Sequence, residues 1–310
     1  MSHKPVTILG AFFVDLACRT PRMPAWGETL HGNAFAMGPG GKGSNQAVAA
    51  ARQRAPVELI SRVGRDAFAD MARGVYREEG IGADHVTEDP NAPSGTATIL
   101  IDDARGENAI VIVPGACGRL GTADVDAAAD LIAGSALFVS QLELPTEVCL
   151  HGIELAHRSG VPVVLNPAPA VELPREVFRN IDYLTPNESE ASLLVGQPVE
   201  SVAQVAEAAA TLRGWGVRHV LITLGERGVY IDSDDYEGVI PAVTAGAVVD
   251  TTGAGDAFNG GLVAALAEGQ SLADAARFGC AVAGLSVTRP GTAPSMPSRE
   301  EVERLLGGTG

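Results

Sequence analysis

Four residues in the last third of the chain, Gly253-Ala254-Gly255-Asp256, carry the clearest chemistry. They stand where an apolar helix begins, so a glycine-rich turn aims backbone N–H groups and the positive end of a helix dipole at whatever lies in front. Glycine suits that place because a side chain would block the close approach of an oxyanion. Asp256 beside it can accept a proton from an attacking hydroxyl. The plainer reading is a carboxylate that only caps its helix, and the company it keeps must decide.

A second glycine cluster, Gly38-Pro39-Gly40-Gly41-Lys42-Gly43, opens an Ala-rich helix through Arg52. Its Gly38-x-Gly40-x-x-Gly43 spacing matches the dinucleotide fingerprint, with Glu58 about 20 residues on, where an acid would hold a ribose. Pro39 stiffens that loop, and Glu58 sits near the start of its strand instead of the carboxyl end, so an NAD-dependent oxidoreductase stands as the distant alternative. A Walker A loop fails on count: it would need glycine at Ala36 and Ser or Thr at Gly43.

The elements that must position these clusters can be read from the pattern. Val6 to Gly10, Val57 to Val63, Ala136 to Ser140, Val161 to Leu165 and Val220 to Leu224 read as buried strands. Asp66 to Glu79, Val148 to His157, Ala257 to Ala267 and Leu272 to Val287 read as helices. Strands separated by helices of this length imply parallel crossovers and an α/β, doubly wound, mainly parallel sheet. Thr29 to Met37, and Thr96 to Ile101 with Asn108 to Val113, read as a meander or hairpin outside that sheet, and Gly228 to Ile240 as a further hairpin.

Composition narrows the function. The 310 residues are 46% hydrophobic, enough for a large core, and carry a formal charge of −16, which disfavours nucleic acid and anionic membranes as partners. No apolar stretch approaches the roughly 20 residues of a membrane span. Met1-Ser2-His3-Lys4-Pro5 leads straight into an apolar run without the features of a signal peptide, so the expected address is cytoplasmic. Cys18, Cys117, Cys149 and Cys280 are too scattered for a zinc pair or a disulfide framework, and His151 and His157 do not share a helical face.

Several motifs in one order then resemble the ribokinase family of carbohydrate kinases, over Val6 to Pro297. They are Gly40-Gly41-Lys42-Gly43-Ser44-Asn45-Gln46-Ala47, Gln141-Leu142-Glu143, Leu165-Asn166-Pro167-Ala168-Pro169, Thr185-Pro186-Asn187-Glu188-Ser189-Glu190, Leu221 to Gly228, and Asp250 to Asn259. The resemblance implies one ribokinase-like domain over 1–310, with a small β-sheet lid formed by about 12–40 and 95–114. It implies ATP-dependent phosphorylation of the hydroxymethyl group of a pentose, ribose to ribose 5-phosphate, in a homodimer joined through the lid.

Carried over residue by residue, the resemblance makes Asp256 the general base and Gly253, Ala254 and Gly255 the donors that meet the transferred phosphoryl group. Asp15, Gly41, Lys42, Asn45 and Glu143 would hold the sugar. Asn187 and Glu190 would help to place Mg²⁺ and the phosphates, although a helix N-terminus with acids in its first turn explains them too. Thr223, Gly225 and Gly228, otherwise a plain turn, would cover the nucleotide with Gly255, and Cys280 would flank the adenine, although a small buried thiol on a core helix explains it as well. Asp250, Thr252, Ser286, Arg289, Gly291 and Ser295 would bind a monovalent cation, K⁺, largely through main-chain oxygens.

One position departs from the pattern. Ribokinases usually carry asparagine two residues before the Asp15 equivalent, and here that residue is Phe13. Deoxyribose kinases are similar in having an apolar side chain there, so 2-deoxyribose is the alternative substrate, and Phe12 and Phe13 also suit a plain core role. Another sugar or nucleoside kinase of this fold, or a sugar-binding protein without catalysis, stays open on sequence grounds.

Overall fold

Val6, Ile8 and Leu9 have no solvent-exposed surface, and Leu137, Phe138, Val139, Val163, Val164 and Leu165 are likewise buried. Strands buried on both faces require helices on both sides, which is the requirement that shapes this molecule. The computed structural model describes residues 4–105 and 107–308. Met1-Ser2-His3, and Gly106 in the turn between the expected hairpin strands, lie outside the described residues.

Among the described residues the strands are β1 (Val6–Leu9), β2 (Phe13–Thr20), β3 (Ala34–Gly40), β4 (Val57–Gly64), β5 (Gly82–Asp89), β6 (Gly95–Asp102), β7 (Asn108–Val113), β8 (Leu137–Ser140), β9 (Val163–Leu165), β10 (Tyr183–Leu184), β11 (His219–Thr223), β12 (Val229–Asp232) and β13 (Glu237–Ile240). The α-helices are α1 (Lys42–Arg52), α2 (Ala67–Glu78), α3 (Thr122–Asp126), α4 (Ala129–Ala133), α5 (Thr146–Arg158), α6 (Glu188–Val195), α7 (Val202–Gly214), α8 (Ala254–Ala267), α9 (Leu272–Ser286) and α10 (Arg299–Gly307).

The main sheet runs β13-β12-β11-β10-β9-β8-β1-β4-β5. Its strands are parallel from β11 to β5, and β12 and β13 add an antiparallel hairpin at one edge. The chain first winds from β1 toward β5 and then returns to place β8 on the other side of β1. Such a reversal opens a crevice at the carboxyl ends of the strands, where open α/β sheets place their ligands.

A second sheet, β3-β2-β6-β7, stands apart. Its central pairing, β2 with β6, is parallel and sets Phe13 beside Gly95, while β2 and β3 are antiparallel and set Asp15 beside Gly38. One reading of the sequence needs correction here: Gly38-Pro39-Gly40 is the end of a strand, not a loop. Strand β2 has no clear alternation of its own, because Asp15, Cys18 and Arg19 interrupt its apolar residues. Glu58 lies near the start of β4, opposite Thr7 of β1, away from the carboxyl ends where a ribose would sit.

Helix α8 is buried from Asp256 to Ala265, as its predominantly apolar sequence requires. Gly260 lets α1 lie directly on it: a Cβ there would come within 2.3 Å of the Ala49 methyl and 2.9 Å of the Gln46 carbonyl oxygen. That close approach carries the amides of α1 to the first turn of α8. No helix among the described residues is long and apolar enough to cross a membrane.

Candidate active site

Helix α8 starts at Ala254, three residues earlier than the apolar pattern alone suggests, with Gly253 as its N-cap at φ 77. A left-handed N-cap is accessible to glycine at no steric cost. The Ala254 N–H turns back to the Thr251 carbonyl at 3.2 Å. The helix leaves the amides of Gly255 and Asp256 without an intrahelical acceptor. Gly255 is exposed and Asp256, next to it, is only 5% exposed.

Asp256 is held from α1. Asn45 Nδ2 donates to its Oδ2 at 3.0 Å, and Gln46 Nε2 donates to its Oδ1 at 3.0 Å. The plain capping reading fails, because its carboxylate faces these amides and no side-chain cap closes the helix. Asn45 is itself buried, and its Oδ1 has no hydrogen-bond partner. An orphaned buried acceptor carries a cost that a ligand hydroxyl would relieve.

Around Asp256 the predicted sugar set converges. The Lys42 main-chain N–H donates to Glu143 Oε2 at 2.7 Å, which ties the start of α1 to the loop after β8. The fields of Asp256, Glu143 and Glu190 raise the proton affinity of the Lys42 ammonium against the opposing effect of burial, Asp256 most strongly. Burial pushes Glu143 up to about 7, with Lys42 opposing and Asp256 and Asp15 adding to the rise. Burial likewise pushes Asp15 up to about 6, against the hydrogen bond from Thr292 and with Asp256 reinforcing it. Asp256 and Glu143 thus share one cation, and with Asp15 beside them they form an acceptor-rich cup.

A Cβ on Gly40 would fall 2.3 Å from the Asp15 carboxylate, so glycine is the residue that leaves room for it. Phe13 stands on the same side of β2 as Asp15, by strand alternation, but is only 2% exposed and packs its ring over Gly95. Thr292, which donates to Asp15 Oδ2 at 3.1 Å, was not signalled by any motif.

On the other side of Gly255 lies a cleft of about 580 Å³. Thr223, Gly225, Gly228, Gly255 and Cys280, all expected at the nucleotide, line it. Burial pushes the Cys280 thiol up to about 12. No motif announces the segment Ala242 to Val248 that forms one wall, nor Ala283 and Gly284 on α9 opposite. Small uncharged residues without periodicity leave no signal of this kind.

Asn187 and Glu190 do not line that cleft. They close a capping box at the start of α6: Asn187 Oδ1 accepts from the Glu190 N–H at 2.8 Å and Glu190 Oε2 accepts from the Asn187 N–H at 2.8 Å. The carboxylate of Glu190 nevertheless lies in the field of Lys42 and Asp256, and burial raises its proton affinity.

The predicted cation residues form two adjoining loops. Asp250 joins them, accepting from the Thr252 N–H at 2.9 Å and from the Gly291 N–H at 3.0 Å. Ser286 and Ser295 spend their hydroxyls on the carbonyls of Ala283 and Thr292, and Arg289 pairs with Glu301. Among the described residues no cluster of three His, Cys, Asp or Glu side chains could hold a metal ion, so any cation here would need main-chain oxygens or water.

Residues 4–299 match the model of the pfkB family of carbohydrate kinases. The chain belongs to that family. It is 39% identical to the ribokinase of Haemophilus influenzae over 304 residues, covering 98% of this chain and 99% of the other. It is 38% identical to the deoxyribokinase of Salmonella typhi over 302 residues, covering 97% and 98%. Among solved structures it is similar to the Arabidopsis thaliana ribokinase complexed with ribose and ATP, with a TM-score of 0.91 at 32% identity and 98% of each chain covered. As a pfkB carbohydrate kinase the chain is an ATP-dependent sugar kinase with a ribokinase-like fold, and the cleft and the acceptor cup meet at the first turn of α8.

Proposed function

We propose that this chain transfers the γ-phosphoryl group of ATP to the hydroxymethyl oxygen of ribose, giving ribose 5-phosphate and ADP. The observation that carries this reading is the position of Asp256, buried between the acceptor cup and the glycine-lined cleft and held on both oxygens by neutral amides. Asp256 takes the hydroxyl proton, the freed oxygen bonds to the γ-phosphorus, and the bond from that phosphorus to the β,γ-bridging oxygen breaks as ADP leaves. Charge then spreads over the equatorial oxygens of the moving group, where the amides of Gly253 and Gly255, and that of Ala254 once it leaves the Thr251 carbonyl, would meet it. Loss of one such donor typically costs about 2.7–4 kcal/mol of barrier.

Asp15, Asn45, Glu143 and the Gly41-Lys42 turn would take the sugar hydroxyls, each unpaired buried hydroxyl otherwise costing about 1–3 kcal/mol. Glu190 and Asn187 offer hard oxygen donors to a hydrated Mg²⁺, a fit for an ion that keeps several waters. Mg²⁺, when bound, supplies positive charge to the phosphate oxygens. The loops joined by Asp250 would hold K⁺ through main-chain oxygens; pairing with Glu301 leaves the Arg289 main chain, not its charge, for an ion.

The small sheet would act as a lid over the sugar that excludes water from the reaction. Ile110, Val111, Ile112 and Val113 on its edge strand β7 are 44–64% exposed, which supports pairing of this sheet with that of a second copy. We place the enzyme in the cytoplasm.

A second reading, 2-deoxyribose as substrate, is favoured by Phe13, whose ring offers no hydrogen bond to a sugar hydroxyl. An apolar pocket rejects an extra hydroxyl only about a hundredfold, so both sugars stay within reach. ADP release measured with Mg-ATP across ribose, 2-deoxyribose, fructose and nucleosides tests the assignment. Ribose is expected to turn over fastest, and faster turnover of a nucleoside or fructose would overturn the sugar. Equal rates in potassium and in a large organic cation would remove the monovalent ion.

A further inference from the structure

Gln46, one residue beyond the sugar-facing Asn45, has no exposed surface, donates two hydrogen bonds from its side-chain nitrogen and accepts one at its side-chain oxygen. Its Nε2 donates to Asp256 Oδ1 at 3.0 Å and to Asn166 Oδ1 at 3.1 Å, and its Oε1 accepts from Gln141 Nε2 at 2.6 Å. A flipped amide would turn its oxygen toward a carboxylate that only accepts, so the orientation is forced. Asn166 is oriented in turn by the donation of its Nδ2 to the Thr185 carbonyl at 3.0 Å. Gln141 and Asn166 follow β8 and β9 directly, so the network is anchored to the rigid centre of the main sheet.

We propose that Gln46 is the positioning residue for Asp256: with Gln141 behind it, it fixes the rotation of the carboxylate so that one lone pair faces the substrate hydroxyl. Asn45 alone holds Oδ2 and leaves the plane of the carboxylate free to turn about that contact. With Gln46 on Oδ1 both oxygens are pinned, and a base held in place at the moment of proton transfer needs no reorganisation. This inference rests on the reading of Asp256 as the general base.

The test is a double-mutant cycle between Gln46→Met, close in size and without the donor, and Asp256→Asn, assayed with Mg-ATP and ribose. Gln46→Met is expected to lower kcat about 10- to 100-fold, the loss typical of a hydrogen bond to a charged group, with both KM values within about twofold of the parent. Combined with Asp256→Asn it is expected to cost nothing further, because its effect runs through the carboxylate. Parental kcat in Gln46→Met, or a full additional loss in the double variant, would overturn the proposal. Parental turnover in Asp256→Asn would instead remove the base itself, a separate result. Should Gln46→Met fail to fold, Gln141→Met, which touches Gln46 and not Asp256, is expected to lose kcat about threefold or more by the same logic. Parental kcat there would overturn the proposal as well.

Discussion

The two halves of the active site are built from different materials. On the proposed reading the sugar side is a cup around the Lys42 ammonium, in which Asp15, Asn45, Glu143 and Asp256 are each fixed by a named partner. The proposed nucleotide side is a cleft whose walls are mostly glycines, alanines, valines and one phenylalanine, with Glu226, Cys280 and a few threonines as polar relief. A sugar must be recognised by hydroxyls, whose directions only placed donors and acceptors can read. A nucleobase offers a flat face, and shape with dispersion is enough to hold it. Substitutions on one side should therefore separate cleanly from those on the other.

The largest effect is expected at the seam. Asp256→Ala removes the proton acceptor and should lower kcat on the order of 10²–10⁴-fold, while binding of ADP, measured by calorimetry, stays close to parental. A matching loss of nucleotide affinity would show that the two halves are not separable. On the nucleotide side, Gly284→Ala is next. Its Cβ would stand 1.9 Å from the Val243 carbonyl oxygen, so the wall formed by Ala242 to Val248 must shift outward. Overpacking of that kind costs about 1–3 kcal/mol, and an ATP KM about tenfold higher is expected with the ribose KM unchanged. Equal rises in both would erase the contrast.

The contrast also explains what could be read from the sequence. Motifs of chemically distinctive residues at tight spacing, such as Gly41-Lys42-Gly43-Ser44-Asn45-Gln46 and Gly253 to Asp256, contain the residues that converge on the acceptor cup and on the first turn of α8. The parallel sheet was legible because buried strands are short apolar runs, wholly aliphatic in β9 and broken only by Thr7 in β1. What stayed hidden depends on long-range placement. Thr292 meets Asp15 across most of the chain, and β2 gains its strand character from β3 and β6 and not from its own alternation. The wall from Ala242 to Val248 is recognisable only once α9 lies opposite it.

A pH series sharpens the comparison further. Glu143 and Asp15 are pushed by burial up to about 7 and about 6, and both must be ionised to serve as full acceptors for the sugar. The ribose KM should thus rise about tenfold between about pH 8 and about pH 6, while the ATP KM, set by an apolar cleft, moves far less. The sign reverses for the sugar-free protein. Both folded values lie above the unfolded ones, so the stabilisation from these two groups is complete below about pH 4 and is lost as pH rises through about 6 to 7. Thermal unfolding between about pH 5.5 and about pH 8 should show that decline, and a flat ribose KM over the same range would remove both carboxylates from sugar binding.

The smallest effect belongs to Cys280, the one residue of the nucleotide cleft whose side chain looks reactive. Its thiol is buried and pushed up to about 12, so at about pH 8 only about one part in ten thousand is thiolate, the form that alkylates. Iodoacetamide should leave it unlabelled and activity intact over a time that modifies an exposed cysteine. Cys280→Ala removes a group of about methylene size from an apolar wall, worth about 0.8 kcal/mol if it packs against the base. An ATP KM two- to fourfold higher is therefore expected, with kcat and the ribose KM unmoved. A loss of tenfold or more would mean that the sulfur makes a directed contact with the nucleobase, and the nucleotide side would then read its ligand by chemistry as well as by shape.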